Sequence, residues 1–132
     1  MSELINSALL AEATGFSHAV RAGDTVYLAG QVGTGGDGTI VGSDIVAQFD
    51  QAAANLVTAL AAAGGEPDDL VSLQVFVTDV AEYRASRSGL GRAWRRHFGR
   101  RYPAMGLFGV RELFDLEAKV ELMGVAVLSR PG

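Results

Sequence analysis

Tyr102-Pro103-Ala104-Met105-Gly106-Leu107 decides how this chain is read, together with residues 26–31 (VYLAGQ) ahead of it and residues 120–127 (VELMGVAV) behind it. Residues 105–110 and 119–128 read as two strands at the C-terminal end. Working back, residues 82–98 read as a helix. Residues 70–78 (LVSLQVFVT) are apolar and β-branched, which predicts a buried strand. Ile45, Phe49, Ala52, Ala53, Leu56, Leu60 and Ala63 recur at helical spacing, with Ser43 or Asp44 as cap and Gly64-Gly65 as stop. Residues 33–42 form a glycine-rich loop. Residues 18–21 and 25–31 flank Ala22-Gly23-Asp24 as strand, tight turn and strand. Residues 1–14 read as a loosely held N-terminal arm. The order β-β-α-β-α-β-β predicts an α+β fold in which two helices form a layer on one mixed sheet. With 132 residues and no internal linker, residues 1–132 are expected to form a single domain.

Composition sets the outer limits. Hydrophobic residues make up 48% of the chain, enough for a packed core and far from a disordered composition. No apolar run approaches the roughly 20 residues that cross a bilayer, so no membrane partner is expected. The N-terminus lacks the cationic segment of a secretory signal, and there is no cysteine. Together these favour the cytoplasm and exclude thiol chemistry and disulfides. The net charge of −4 argues against a nucleic-acid partner. Seven of the eleven Lys and Arg residues nevertheless lie between Arg84 and Arg101. That run reads as the solvated face and basic C-terminal end of a helix.

Several motifs carry less chemistry than they first suggest. Gly33-Thr34-Gly35-Gly36-Asp37-Gly38 matches G-x-G-x-x-G and follows a strand. Residues 39–42 separate it from any helix, so its glycines cannot set a pyrophosphate on a helix N-terminus. His18 and His97 are isolated and lack metal-ligand spacing, and no carboxylate cluster supplies further ligands. No metal and no cofactor is therefore expected. Ser17 has no acid or base partner in a nucleophile pattern. Two residues are out of keeping with their surroundings. Glu121 shares one face of an apolar strand with Met123 and Val125. Such a carboxylate is paired, at a sheet edge, or in a pocket with a raised pKa. Arg87 falls within the helical stripe Tyr83, Leu90, Trp94 and Phe98, where its stem can snorkel while its head reaches a cleft or a subunit boundary.

Six separated segments occur in the order found in one known family: Gly15-Phe16-Ser17, Ala29-Gly30-Gln31, Asn55-Leu56, Val75-Phe76-Val77-Thr78-Asp79, Pro103-Ala104 and Val120-Glu121-Leu122. Over residues 15–128 the chain resembles the Rid/YjgF superfamily of reactive intermediate deaminases. The resemblance implies a chorismate-mutase-like α+β layer, a homotrimer, and clefts between subunits that bind a small molecule. It implies hydrolysis of an imine, enamine or other reactive carbonyl-type metabolite, with Glu121 positioning the attacking water and moving protons. The family's substrate-clamping arginine follows Pro-Ala, and here that position is Met105. Other cleft positions implied by the likeness are Phe16 in place of a tyrosine, Ala29 in place of a serine or threonine, Gly30, Gln31, Gly106, Leu107 in place of a cysteine, and Arg87 at a helix position often held by asparagine. A substrate other than the usual 2-imino acids follows from Met105. A ligand-binding trimer without chemistry is the alternative, and an endoribonuclease-type RNA-binding protein stands third.

Overall fold

The computed structural model describes residues 2–129. Its elements are β1 (Ser2–Ile5), β2 (Ala19–Ala22), β3 (Thr25–Val32), α1 (Ile45–Ala62), β4 (Leu70–Val77), α2 (Val80–Ala85), α3 (Arg87–Phe98), β5 (Ala104–Gly109) and β6 (Val120–Val127). The strands form one mixed sheet in the order β1-β2-β3-β6-β4-β5, with β4 and β5 parallel and the other pairs antiparallel. The expected α+β layer is present, with three helices and six strands instead of two and five. Ser2–Ile5, within the stretch read as a loose arm, pairs with β2 as an edge strand. The expected helix over 82–98 is two helices, because Ser86 (φ −105°, ψ 14°) caps α2 and begins α3.

Alternation along the strands divides the sheet into a covered and an open face. Val120, Leu122, Gly124 and Ala126 of β6 are buried, as are Leu73, Val75 and Val77 of β4. They join Phe49, Ala52, Ala53, Leu56 and Leu60 of α1 in one core. The alanines on α1 let its backbone approach the sheet closely, and the burial of the larger side chains supplies the main stabilising term. Asp44 caps α1 by accepting from the Ala47 N–H at 3.3 Å. Gly64, with φ +92°, ends it in the left-handed conformation that a glycine adopts without strain.

On the open face lie Tyr27, Met123, Val127 and Phe108, all exposed, with Phe76 stacked on Phe108 at 5.7 Å between ring centroids. Among the described residues no helix is long and apolar enough to cross a membrane.

One buried polar side chain ties three segments together. Gln48 on α1 is 0% exposed. Its amide nitrogen donates to the carbonyls of Gly42 and Glu117, each at 3.1 Å, and its oxygen accepts from the Lys119 N–H at 2.7 Å. The glycine-rich loop and the β5–β6 loop are thereby pinned to the same helix turn.

Candidate functional site

The site begins with a slip in strand pairing. Leu28 stands opposite Gly124, but Gln31 stands opposite Leu122, so β3 carries an extra residue at Ala29-Gly30. Bulges of this kind re-aim side chains. Gly30 lies directly beneath the Glu121 side chain, where a β-carbon would come within 2.5 Å of Oε2. The missing side chain of Gly30 is thus the space in which the Glu121 carboxylate rests.

Around this pair is a cavity of about 670 Å³, within the range of small-molecule sites. Phe16, Ala29, Gly30, Gln31 and Glu121 all line it, so five of the residues singled out in the sequence converge. One wall is the N-terminal arm, with Leu9, Leu10 and Glu12. His18 holds that arm: its Nδ1 accepts from the Ser7 N–H at 3.0 Å, and its Nε2 lies 2.9 Å from the Ala11 carbonyl. An Nδ1 that accepts leaves Nε2 as the protonated nitrogen.

A second wall is the glycine-rich loop. It is a hydrogen-bonded hairpin in which Gly35 N–H donates to the Thr39 carbonyl at 2.8 Å and Gly38 N–H to the Gly35 carbonyl at 3.0 Å. Asn55 on α1 fastens its base, donating to the carbonyls of Val32 and Thr34 at 3.0 and 2.9 Å. These glycines serve a turn over the cavity. The third wall is the β5–β6 loop, which contributes Phe114 and Asp115.

Glu121 is half-buried. No hydrogen bond or ion pair reaches its carboxylate from the described residues. Burial pushes its carboxyl above the usual range, and the neighbouring charge of Asp115 adds to the rise. Among the described residues no group of three or more His, Asp or Glu side chains could hold a metal ion.

The remaining sequence-derived candidates stand apart within one chain. Arg87 is exposed at the first turn of α3, and it does not line the cavity or pair with Glu121. The break at Ser86 puts Tyr83 on a separate helix, and Arg87 keeps its spacing to Leu90, Trp94 and Phe98 but sits at the exposed N-terminal end of that stripe. Met105, Gly106 and Leu107 lie on β5, separated from β6 by β4. Their register opposite Leu73, Gln74 and Val75 turns Met105 and Leu107 toward the helix side of the sheet edge, where both are exposed. Gly106 faces the other way, and a β-carbon there would come within 2.8 Å of the Phe108 ring. Sequence reasoning missed Leu9, Leu10, Glu12, Phe114 and Asp115. The one usable signal was Phe114, a large aromatic in a loop of mixed charged and apolar residues, and it is 99% exposed.

The model of the family described as Endoribonuclease L-PSP matches residues 6–128. A 2-iminobutanoate/2-iminopropanoate deaminase from the mite Dermatophagoides farinae is 29% identical over 114 residues, covering 86% of this chain and 85% of that protein. The yeast (Saccharomyces cerevisiae) protein MMF1, mitochondrial, is 29% identical over 111 residues, covering 82% and 74%. The crystal structure of a Rid family protein of unknown function from Yersinia pestis superposes with a TM-score of 0.86 at 26% identity, over 97% of this chain and 100% of that one.

Proposed function

The chain belongs to the Endoribonuclease L-PSP family of the Rid/YjgF superfamily, and on that premise we propose that it is a small-molecule hydrolase working in clefts between the subunits of a homotrimer. Its substrate is an imine, an enamine or a related reactive carbonyl-type metabolite. The observation that carries this reading is Glu121: a half-buried, unpartnered carboxylate with a raised pKa, resting in the gap left by Gly30. As general base it takes a proton from water while the water oxygen bonds to the C=N carbon. The same proton then passes to nitrogen, and the carbinolamine collapses to carbonyl and ammonia. The mite relative is named as a deaminase, which supports the class of reaction. Met105 cannot form the bidentate ion pair that an arginine makes with a carboxylate, which favours a substrate other than the usual 2-imino acids.

The trimer is supported by the uncovered face. Tyr27, Met123 and Val127 present a contiguous apolar surface of a kind that monomers rarely leave open. In the proposed assembly β5 borders a neighbour's cleft, so that Met105 and Leu107 of the partner subunit complete the apolar wall around Glu121. Sedimentation at micromolar concentration is expected to give a trimer, and a stable monomer ends this part of the proposal. The test of function is ammonia release from imines made in situ, above the uncatalysed rate.

Gly30→Ala separates site from scaffold. The atoms nearest the added methyl all belong to the flexible Glu121 side chain, so the thermal midpoint is expected to stay near wild type while turnover falls by about tenfold or more. Unchanged turnover counts against the placement of Glu121. Gly33→Ala is the contrast, because its methyl would lie 2.7 Å from the Gln48 backbone oxygen, which cannot step aside.

A ligand-binding trimer without chemistry is the second reading, favoured by the apolar walls at Phe16, Leu9, Leu10 and Phe114. The RNA-directed reading stands third. Both ring nitrogens of His18 are engaged, and His97 Nε2 is held by Asp50 at 2.7 Å, which leaves no free histidine pair for acid–base cleavage among the described residues. We propose the cytoplasm as its location, which the absence of cysteine fits. The yeast relative MMF1 is mitochondrial.

A further inference from the structure

We propose that the N-terminal arm, strapped around His18, is the specificity wall of the cleft. Its Leu9, with Phe16 and Phe114, receives a bulky apolar substituent of the substrate, and His18 is the positioning residue that holds the arm there. That the guest is an imine rests on the hydrolase reading above; the apolar wall does not. It follows from how the arm is fastened and from what the fastening leaves open.

His18 is buried, and each of its polar groups that faces the arm is used. Its backbone N–H donates to Asn6 Oδ1 at 3.1 Å. Nδ1 accepts from the Ser7 N–H, and Nε2 donates to the Ala11 carbonyl. Ser7 adds two bonds within the arm. Its Oγ accepts from the Leu9 N–H at 3.1 Å, and its carbonyl accepts from the Leu10 N–H at 3.3 Å. Residues 6–11 are thereby a turn wrapped on one imidazole. Ile5 and Leu10, before and within that turn, pack against the core. Ordering such an arm costs backbone entropy, and these bonds and contacts offset part of it.

Leu9 is the side chain that this fastening does not use. It is 85% exposed, yet it lines the cleft. Phe114 lines the same cleft from the β5–β6 loop, and Phe16 lines it from the segment before β2, both exposed. The Phe16 ring stands edge-on to His18, with 6.2 Å between centroids, so the imidazole that holds the arm also seats an aromatic of the wall. Single exposed apolar residues are ordinary on a protein surface. Here three large ones, from three separate segments, converge on the cavity that holds the Glu121 carboxylate. Apolar walls around a few polar groups are the usual make-up of a small-molecule site. In the proposed assembly a neighbouring copy adds Met105 and Leu107, which extend this wall and do not replace it.

A methyl substituent covers little of such a wall. A phenyl or a branched chain removes more apolar surface from water and gains in proportion. The substrate class is accordingly an imine whose C=N carbon bears an arylalkyl or branched alkyl group.

The test uses the full chain in its native assembly. Imines are made in situ by an amino acid oxidase from alanine and from phenylalanine, a pair that differs by one phenyl group and not in charge. Wild type is expected to show a kcat/KM at least about tenfold higher for the phenyl-bearing imine. The Leu9→Ser, Phe114→Ser double variant should bring that ratio close to one, with the loss in the KM of the phenyl-bearing imine. His18→Ala removes the strap but is a core change that can cost the fold. Ser7→Pro compared with Ser7→Ala keeps the role of His18 testable, because only the first removes the N–H that His18 accepts. The ratio should fall more in Ser7→Pro than in Ser7→Ala.

A wild-type ratio of one or less overturns the wall, and so does a ratio that the double variant leaves unchanged. A ratio that falls equally in both Ser7 variants, or in neither, overturns the role of His18. If the double variant changes the sedimentation of the assembly, the three side chains are an interface and the wall is overturned. In parallel, benzylacetone and acetone, stand-ins for the carbonyl product, are titrated by ligand-observed NMR. Tighter binding of benzylacetone that is lost in the double variant, without turnover of either imine, upholds the wall and removes the hydrolase. Equal binding of the two ketones without turnover overturns both.

Discussion

Replacing Glu121 by Gln is expected to lower imine hydrolysis by about 10²–10⁴-fold, the usual contribution of a positioned general base, while raising the thermal midpoint. Glutamine keeps the volume and a carbonyl oxygen above Gly30 but cannot take a proton from water. The stability gain follows from the sign of the pKa shift. The folded-state pKa of Glu121 is raised by burial and by the Asp115 charge, so the folded state binds the proton more tightly than the unfolded state does. Its contribution to stability is fully present below the unfolded pKa and is lost as pH rises through the folded value. At neutral pH the ionised carboxylate is therefore a net cost, and the neutral amide removes it. The rate has the opposite dependence, because the base must be deprotonated. Wild-type activity should fall on acidification at a pH above the ordinary carboxylate range, and Asp115→Asn should move that limb downward. A Glu121→Gln protein that retains the wild-type rate makes Glu121 structural and leaves the enzyme without a base.

Gln48→Met is expected to cost about 2–4 kcal/mol of stability. Methionine fills the volume but leaves the Gly42 and Glu117 carbonyls and the Lys119 N–H without their buried partner. Each such group costs on the order of 1–3 kcal/mol when water cannot reach it, and partial solvent access at the loops reduces the sum. The same change loosens two of the three cleft walls, since the glycine-rich loop and the segment bearing Phe114 and Asp115 both hang from Gln48. Ligand binding should weaken even at temperatures where the protein is fully folded. Denaturant unfolding at one fixed protein concentration is the measurement. A loss below about 0.5 kcal/mol would mean that water replaces the amide at little cost.

What was legible in the sequence was local. The apolar period of residues 45–63, with Asp44 before it and Gly64-Gly65 after it, marked α1, and capping and stop signals are set by neighbouring residues. The β-branched run at residues 70–78 marked β4, observed as Leu70–Val77, and the alternation about Glu121 marked a carboxylate sharing a strand face with Met123 and Val125. The break at Ser86 lay beyond this kind of reading. The period of Tyr83, Leu90, Trp94 and Phe98 runs straight through it, and only packing showed that the chain bends there and leaves Arg87 exposed. Ser2–Ile5 has little hydrophobic signature of its own, and its strand conformation comes from pairing with β2.

The residues of this chain by themselves determined its α+β class, its capped helix and the one acid out of keeping with its strand, because these depend on side-chain type at short spacing. The tertiary structure alone decided what surrounds that acid. The bulge at Ala29-Gly30, the arm held by His18 and the loop held by Gln48 bring together residues as far apart as Leu9 and Glu121. Such distant proximity arises from strand register and buried hydrogen bonds between segments, which no local periodicity encodes.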